Sequence, residues 1–397
     1  MSNLSTSKFI DLSVRFDQLA LVICLAFIAQ LFISFDFWGA GSRMFPLIPI
    51  FEYLPFQYGI VFNQLLFWSF IIALLVTAFL NFKKYSIPVL FVIYFIWLMQ
   101  DVMRIQAWSY HYLLLLALLW IYHFRKYYPK EILFLMRFVM VMTYLWTGIH
   151  KINLHFAEVV FPWLMGIVPV FEKLGDISTL GYLLAIFEIL LGIGLLWRKS
   201  RKITVVLITI FHLLILILLI IDKWNYVVYP WNLVIIALIW LLFWKKDEET
   251  EAKASSIWNF WPAYIVFFLY GIAPGLQPFN LWPYDLCQMM YTGLSTEMRF
   301  CFDEKSISLG TLGTCVPHTA LRQIDPIGEN KWSLNMDDWA MQEFNLPTYP
   351  AEWYYKRIGK KLCPCLNGSE GFIELVQKTR WRREDQLTRI SCKELLN

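Results

Sequence analysis

The sequence predicts an all-α polytopic membrane bundle of about nine transmembrane helices, followed by a small cysteine-rich mixed domain outside the cytoplasm. Three observations predict it. Of the 397 residues, 58% are hydrophobic and only 16% are charged, against about 25% charged in a soluble globular domain. The apolar residues between Leu19 and Pro274 fall in blocks of roughly 17–22, the length a helix needs to cross about 30 Å of hydrocarbon. Six of the seven cysteines lie beyond Leu276, where the composition turns polar. Together these exclude a soluble enzyme, a disordered chain, a coiled coil and a fibrous repeat. An outer-membrane barrel is excluded too, because its strands are shorter and alternate in polarity. The net charge of +4 is small, and the basic residues sit in short loops, so the charge balance gives no sign of a nucleic-acid partner.

In order along the chain, the expected spans are Leu19–Phe35, Val61–Leu80, Ile87–Val102, Tyr110–Phe124, Ile132–Ile149, Thr179–Trp197, Ile203–Ile221, Val227–Trp244 and Trp258–Ile272. The third and fourth are short and need their flanking aromatics to complete them. The first block reads as a span and not as a signal peptide. Lys8 and Arg15 are balanced by Asp11 and Asp17, and Asp36-Phe37-Trp38 follows where a cleavage site needs small residues. Lys83 and Lys84, then Arg125, Lys126 and Lys130, then Arg198, Lys199, Arg201 and Lys202, then Lys245 and Lys246, all fall on one side of a nine-span chain. The positive-inside rule makes that side, and the N-terminus, cytoplasmic. The C-terminus then faces the other way.

Two connections on the opposite side, Arg43–Gly59 and Phe156–Gly175, are apolar, broken by proline and too short to span. They read as interfacial helices packed on the bundle, with the further expectation that they roof a cavity entered from the membrane. Residues 1–275 form the bundle and residues 276–397 a compact mixed domain, in which Ala351–Leu362 and Glu370–Arg380 look helical by spacing. Cys287, Cys301, Cys315, Cys363, Cys365 and Cys392, confined to the domain placed outside, read as disulfides in an oxidising compartment; Cys24 stays in the first span. No metal site is expected, since Cys363-Pro-Cys365 lacks zinc-ligand spacing and His318 is the only histidine near it. Asn367-Gly-Ser369 is a glycosylation sequon.

Ionisable groups inside apolar spans are costly and are candidate functional residues. Glu188 lies near the middle of the sixth span and His212 near the middle of the seventh, where antiparallel packing can bring them into contact as a structural pair or as part of a site. At the other side of the membrane from the basic loops, Asp101, Arg104, His111, His150, Lys151, Asp222 and Lys223 gather at span ends. Tyr144, Thr147 and Lys151 share one helix face. Lys151 reads either as an interfacial anchor or, held in an apolar pocket, as a base.

The segment Thr143-Tyr-Leu-Trp-Thr-Gly-Ile-His-Lys-Ile-Asn153, with Phe156 after it, resembles a segment of vitamin K-dependent gamma-carboxylases and of the horizontally transferred transmembrane (HTTM) proteins. Phe187-Glu-Ile-Leu-Leu-Gly-Ile-Gly-Leu-Leu196, Phe211-His212 and Tyr229-Pro-Trp-Asn232 follow in the order of that family, over about residues 61–242. The resemblance implies that Lys151 is the base acting on a vitamin K-type quinol and that His212 takes the place of the site histidine; in an enzyme of this kind Lys151 would be assisted by His150 or His212. Tyr144, Thr147 and Glu188 would contact the ligand. It also implies a lipid-soluble, quinone-like ligand and a protein or peptide modified on the outer side, in the manner of a carbon–carbon lyase. Two departures stand against a full carboxylase: Ile215 occupies the place of an asparagine three residues after the histidine, and the polar tail is short. The alternatives are a non-catalytic membrane subunit for secretion, maturation or immunity of a partner protein, and a DoxX-like quinone redox protein.

Overall fold

The computed structural model describes residues 6–39, 43–52, 59–125, 128–245, 252–303, 313, 315–316, 325–328, 331–366 and 370–397. Long helices build the first part: α1 Thr6–Ile33, α2 Ile60–Phe79, α3 Lys83–Gln100, α4 Ala107–Arg125, α5 Pro129–Lys151, α6 Ser178–Leu196, α7 Arg201–Asp222 and α8 Tyr229–Phe243. Their ends follow from local chemistry. Pro129 and Pro230 sit in the first turns of α5 and α8, where no amide donor is needed. Lys223 turns into the left-handed region at φ 55° to stop α7.

Six of these helices are long and apolar enough to cross a membrane: α1, α2, α5, α6, α7 and α8, the last together with the turn before it. The expectation of about nine spans exceeds that number by three. Helices α3 and α4 form where expected, but Lys83, Lys84 and Gln100 in the one, and His111, His123, three tyrosines and two tryptophans in the other, lower their apolarity. The ninth block breaks into a helix at Pro262–Val266, a π-helical stretch at Phe267–Ile272 and a 3-10 stretch at Ala273–Phe279. Pro274 and Pro278 remove the donors a continuous α-helix would need there.

Tight packing of α5 on α6 and of α7 on α8 forms one side of the bundle, and α1, α2, α3 and α4 form the other. Aromatic side chains fill the second side, with Trp38 against Trp97 at 5.0 Å and against Trp108 at 5.9 Å between ring centres. The Arg104 guanidinium is buried beside Trp38 and Trp97 and donates to the Trp97 carbonyl. Asp101 accepts from the Met103 amide and pairs with Arg43 at 2.6 Å. Asp101 and Arg104 therefore serve the architecture.

The C-terminal part is a five-stranded antiparallel sheet in the order β2-β3-β1-β4-β5, with β1 Glu297–Asp303, β2 Asp325–Gly328, β3 Lys331–Asn335, β4 Gly371–Gln377 and β5 Gln386–Ser391. Helices α9 (Met336–Phe344) and α10 (Glu352–Leu362) accompany it. The helix expected at 351–362 is α10. The helix expected at 370–380 is instead the strand β4. Phe372–Val376 pairs with β1 on one side and β5 on the other, and Ile373 and Leu375 alternate into the core. Satisfying both ladders outweighs the helical spacing. Disulfides join Cys315 to Cys365 and Cys363 to Cys392, while Cys24, Cys287 and Cys301 stand outside them. The sequon Asn367–Ser369 lies outside the described residues.

The sheet domain covers one end of the bundle. The connection after α1 is not an interfacial helix over its described residues 43–52. It runs extended between bundle and domain, where Glu343 accepts from the Met44 and Phe45 amides and Arg357 and Lys361 donate to the carbonyls of Leu47, Pro49 and Ile50. Phe156–Glu172 does form short helices at the same end.

Candidate ligand site within the bundle

Helix α5 carries Gly148, and three residues later Lys151. A Cβ on Gly148 would lie 2.6 Å from the Ala185 carbonyl oxygen and 2.9 Å from the Ile189 amide nitrogen of α6. The glycine thus lets the two backbones touch, one turn below the lysine. On α6, Ala185, Glu188 and Gly192 face this seam at i, i+3 and i+7. Helical side chains lean toward the N-terminus of their helix, so Lys151, although it ends α5, points back into the bundle. Its Nζ donates to Glu188 Oε1 at 2.5 Å, and the two side chains are 11% and 2% exposed. An interfacial anchor would point the other way, into water.

The expected contact between Glu188 and His212 is not the one formed. Glu188 pairs with Lys151, and His212 lies in a separate hydrogen-bond chain. Asn232 of α8 donates its Nδ2 to the Val228 carbonyl at 3.0 Å, which turns its Oδ1 toward His212. His212 Nδ1 is 2.8 Å from that oxygen and so acts as the donor, leaving Nε2 to accept from the Tyr144 hydroxyl at 2.7 Å. The neutral imidazole is thereby fixed in one tautomer.

Both polar groupings border one cavity of about 660 Å³. Tyr144, Thr147, Lys151, Glu188, His212 and Asn232 line it, so the structure brings together five of the six sequence-derived site residues. Thr147 spends its hydroxyl on the carbonyls of Thr143 and Tyr144. His150 is the one that lies elsewhere. It stacks on Trp146 and meets Arg380 of the sheet domain at 3.3 Å, away from the cavity. The remaining walls are apolar. The short helices at 156–172 supply Phe156, Phe161, Trp163 and Phe171, which fulfils the expectation of a roof for this connection; residues 43–52 contribute nothing to it. Leu183, Leu214, Ile217 and Ile221 line the cavity and are also exposed on the outside of α6 and α7. The cavity therefore opens sideways between those helices, onto the apolar face of the bundle.

Sequence reasoning missed Asn232 as the partner of His212, although it stands within Tyr229-Pro-Trp-Asn232. It also missed Gln288, Met290 and Tyr291, which reach the cavity from the segment before the sheet; a glutamine in a polar tail gives no signal. Among the described residues, no group of three His, Cys, Asp or Glu side chains is placed to hold a metal ion. No protein family, curated protein or solved structure matches the chain.

Proposed function

We propose that this chain is an integral membrane protein of nine spans whose cavity takes a lipid-soluble, quinol-like ligand, with Lys151 as the base. The observation that carries this reading is the meeting of a lysine–carboxylate pair and a tyrosine–histidine–asparagine chain at one apolar cavity that opens sideways. Such a mouth admits molecules dissolved in the bilayer and turns away solutes in water. The order of residues like those of the gamma-carboxylases and HTTM proteins supports the same reading. So does charge: Lys83, Lys84, Arg198, Arg201 and Lys245 all lie at helix ends away from the sheet domain, which favours a cytoplasmic N-terminus and an extracytoplasmic domain. Helices α3 and α4 and the broken segment after Trp258 would complete the nine crossings.

A vitamin K-type quinol suits the residues present. Its rings and tail match the apolar lining, and Glu188 Oε2, buried and without a partner, is an acceptor for a phenolic hydroxyl. Lys151 and Glu188 would hold that hydroxyl. When bound, the quinol would be oxidised by dioxygen, and that reaction would supply a base strong enough to take a proton from a protein or peptide on the outer side. A lysine base must first give up its own proton. The nearest acceptor is the Glu188 carboxylate, whose Oε1 is 2.5 Å from Nζ. Tyr144 is held by His212 and Asn232 and closes the inner wall in a fixed orientation.

Mass spectrometry of lipid-soluble molecules extracted from the purified protein tests the ligand class, and a quinone or quinol should be found. Lys151→Arg keeps the pairing charge but cannot deprotonate. It should insert and fold, yet lose about 10²–10⁴-fold in turnover. Full activity in that variant would remove Lys151 from the role of base.

A further inference from the structure

The polar groups of the cavity and its opening lie on different walls. Lys151, Glu188, Tyr144, His212 and Asn232 belong to the inner wall and are at most 9% exposed. Among the described residues, every lining side chain that is also exposed comes from α6, from α7 or from the roof. These are Leu180, Leu183, Leu214, Ile217, Ile221 and Trp163, all apolar and 38–60% exposed. Two aromatic pairs frame the gap they leave. Phe187 of α6 meets Phe211 of α7 edge to face, with ring centres 5.8 Å apart, one turn from Leu183 and Leu214 toward the middle of the helices. Trp163 of the roof meets Trp224, just past α7, at 4.9 Å on the side of the sheet domain. Both helices are long and apolar enough to cross a membrane, so the window between them faces hydrocarbon once the chain is inserted. The cavity of about 660 Å³ is of the size that encloses a drug-sized body. A ring body with its hydroxyl takes up such a space, and a long chain attached to it has an apolar way out only through the window.

We infer that the ligand is a tailed lipid held head-first, its polar ring body against Lys151 and Glu188 and its hydrocarbon chain leaving between α6 and α7 into the surrounding bilayer. Leu183, Leu214 and Ile217 are the side chains along which that chain passes. The inference rests on the proposed quinol-like reading of the cavity and narrows it, from any lipid-soluble phenol to one that carries a long chain. It also gives the window a lasting role: it stays filled by the chain while the head is bound, and so keeps bilayer lipid out of the cavity.

The test uses two probes: 1-naphthol, which has the ring and hydroxyl alone, and 2-dodecyl-1-naphthol, which adds a chain. Each is titrated calorimetrically into the detergent-solubilised full chain. Comparing a variant with the wild type for the same probe cancels that probe's own partition into detergent. Leu183→Trp combined with Ile217→Trp narrows the window. It should weaken the tailed probe about 10-fold more than it weakens 1-naphthol, because extra atoms are forced into a filled passage. Ile210→Trp, exposed on α7 but not lining the cavity, should leave the tailed probe bound as in the wild type. If the double variant fails to fold, the wild-type protein still answers. A diazirine at the middle of the chain should crosslink on irradiation to residues 180–184 or 214–221. If the wild-type protein binds neither naphthol, the quinol-like reading falls and the inference with it. Binding of 1-naphthol but not of the tailed probe, equal weakening of both by the window substitutions, loss of the tailed probe in Ile210→Trp, or crosslinks confined to α5 and α8 would overturn the chain's route alone.

Discussion

Lys151 and Glu188 form a charge pair in surroundings that penalise charge, so each is tolerated only because of the other. Removing one partner strands the second, at a cost of about 3–5 kcal/mol. Lys151→Met and Glu188→Leu, made singly, should therefore both lower the unfolding midpoint in detergent. Made together they should cost less than either alone, because two apolar side chains then pack where two charges stood. Additive losses would show that the pair is not coupled. Both residues were legible in the sequence, because an ionisable group in a run such as Ile186–Leu196 stands out. Their partnership was not legible. Position along a helix does not give its rotation, and a lysine at a helix end looks the same whether it leans out or in.

At the scale of elements, the seam between α5 and α6 sets the geometry of the site. The spacing of Gly148 and Lys151 within Thr143–Asn153 gains a physical meaning here: the glycine brings two backbones into contact so that a lysine one turn away can reach a carboxylate. Gly148→Ala would raise intrinsic helix propensity by about 1 kcal/mol. The added methyl meets backbone atoms of Ala185 and Ile189, which cannot step aside as a side chain could. We expect a net destabilisation of about 1–3 kcal/mol and weaker binding of any cavity ligand, read by thermal melting and by titration. A stabilised Gly148→Ala protein would mean that the helices separate freely. The apolar helices were readable because their blocks match the length of a span, whereas β4 was not. Phe-Ile-Glu-Leu-Val satisfies a helical and an alternating pattern alike, and only pairing with β1, distant in sequence, and with β5 across the following hairpin decides between them.

Across the whole molecule, the sheet domain and the bundle are fastened at several points, and its chemistry makes that junction sensitive to pH. Burial near Tyr284, Tyr349 and Cys287, with the Asp337 charge adding to it, pushes the Asp285 carboxyl up to about 8. Burial pushes Asp337 up to about 6, although the amide and hydroxyl of Thr348 bond to its carboxylate and pull it back. In the unfolded chain both groups titrate near about 3.9. Between about pH 4 and pH 8 the folded protein keeps protons that the unfolded chain has lost, so this contribution to stability is full below that window and gone above it. The melting temperature should fall between about pH 4 and pH 8, and Asp285→Asn should flatten the fall; a midpoint that rises with pH would contradict the assignment. The hairpin between β4 and β5 binds the other side of the junction. The Arg380 carbonyl accepts from the Leu154 amide, its guanidinium reaches the Ile149 carbonyl and His150, and Arg383 pairs with Glu158. This attachment orders events in time. Helices α5 and α6 leave the ribosome more than 180 residues before Arg380 does, so throughout synthesis the lysine end of α5 waits for its fastening. The hairpin that closes over the segment following Lys151 is made only when residues 371–391 have been synthesised, and a newborn chain cannot hold its finished cavity before then.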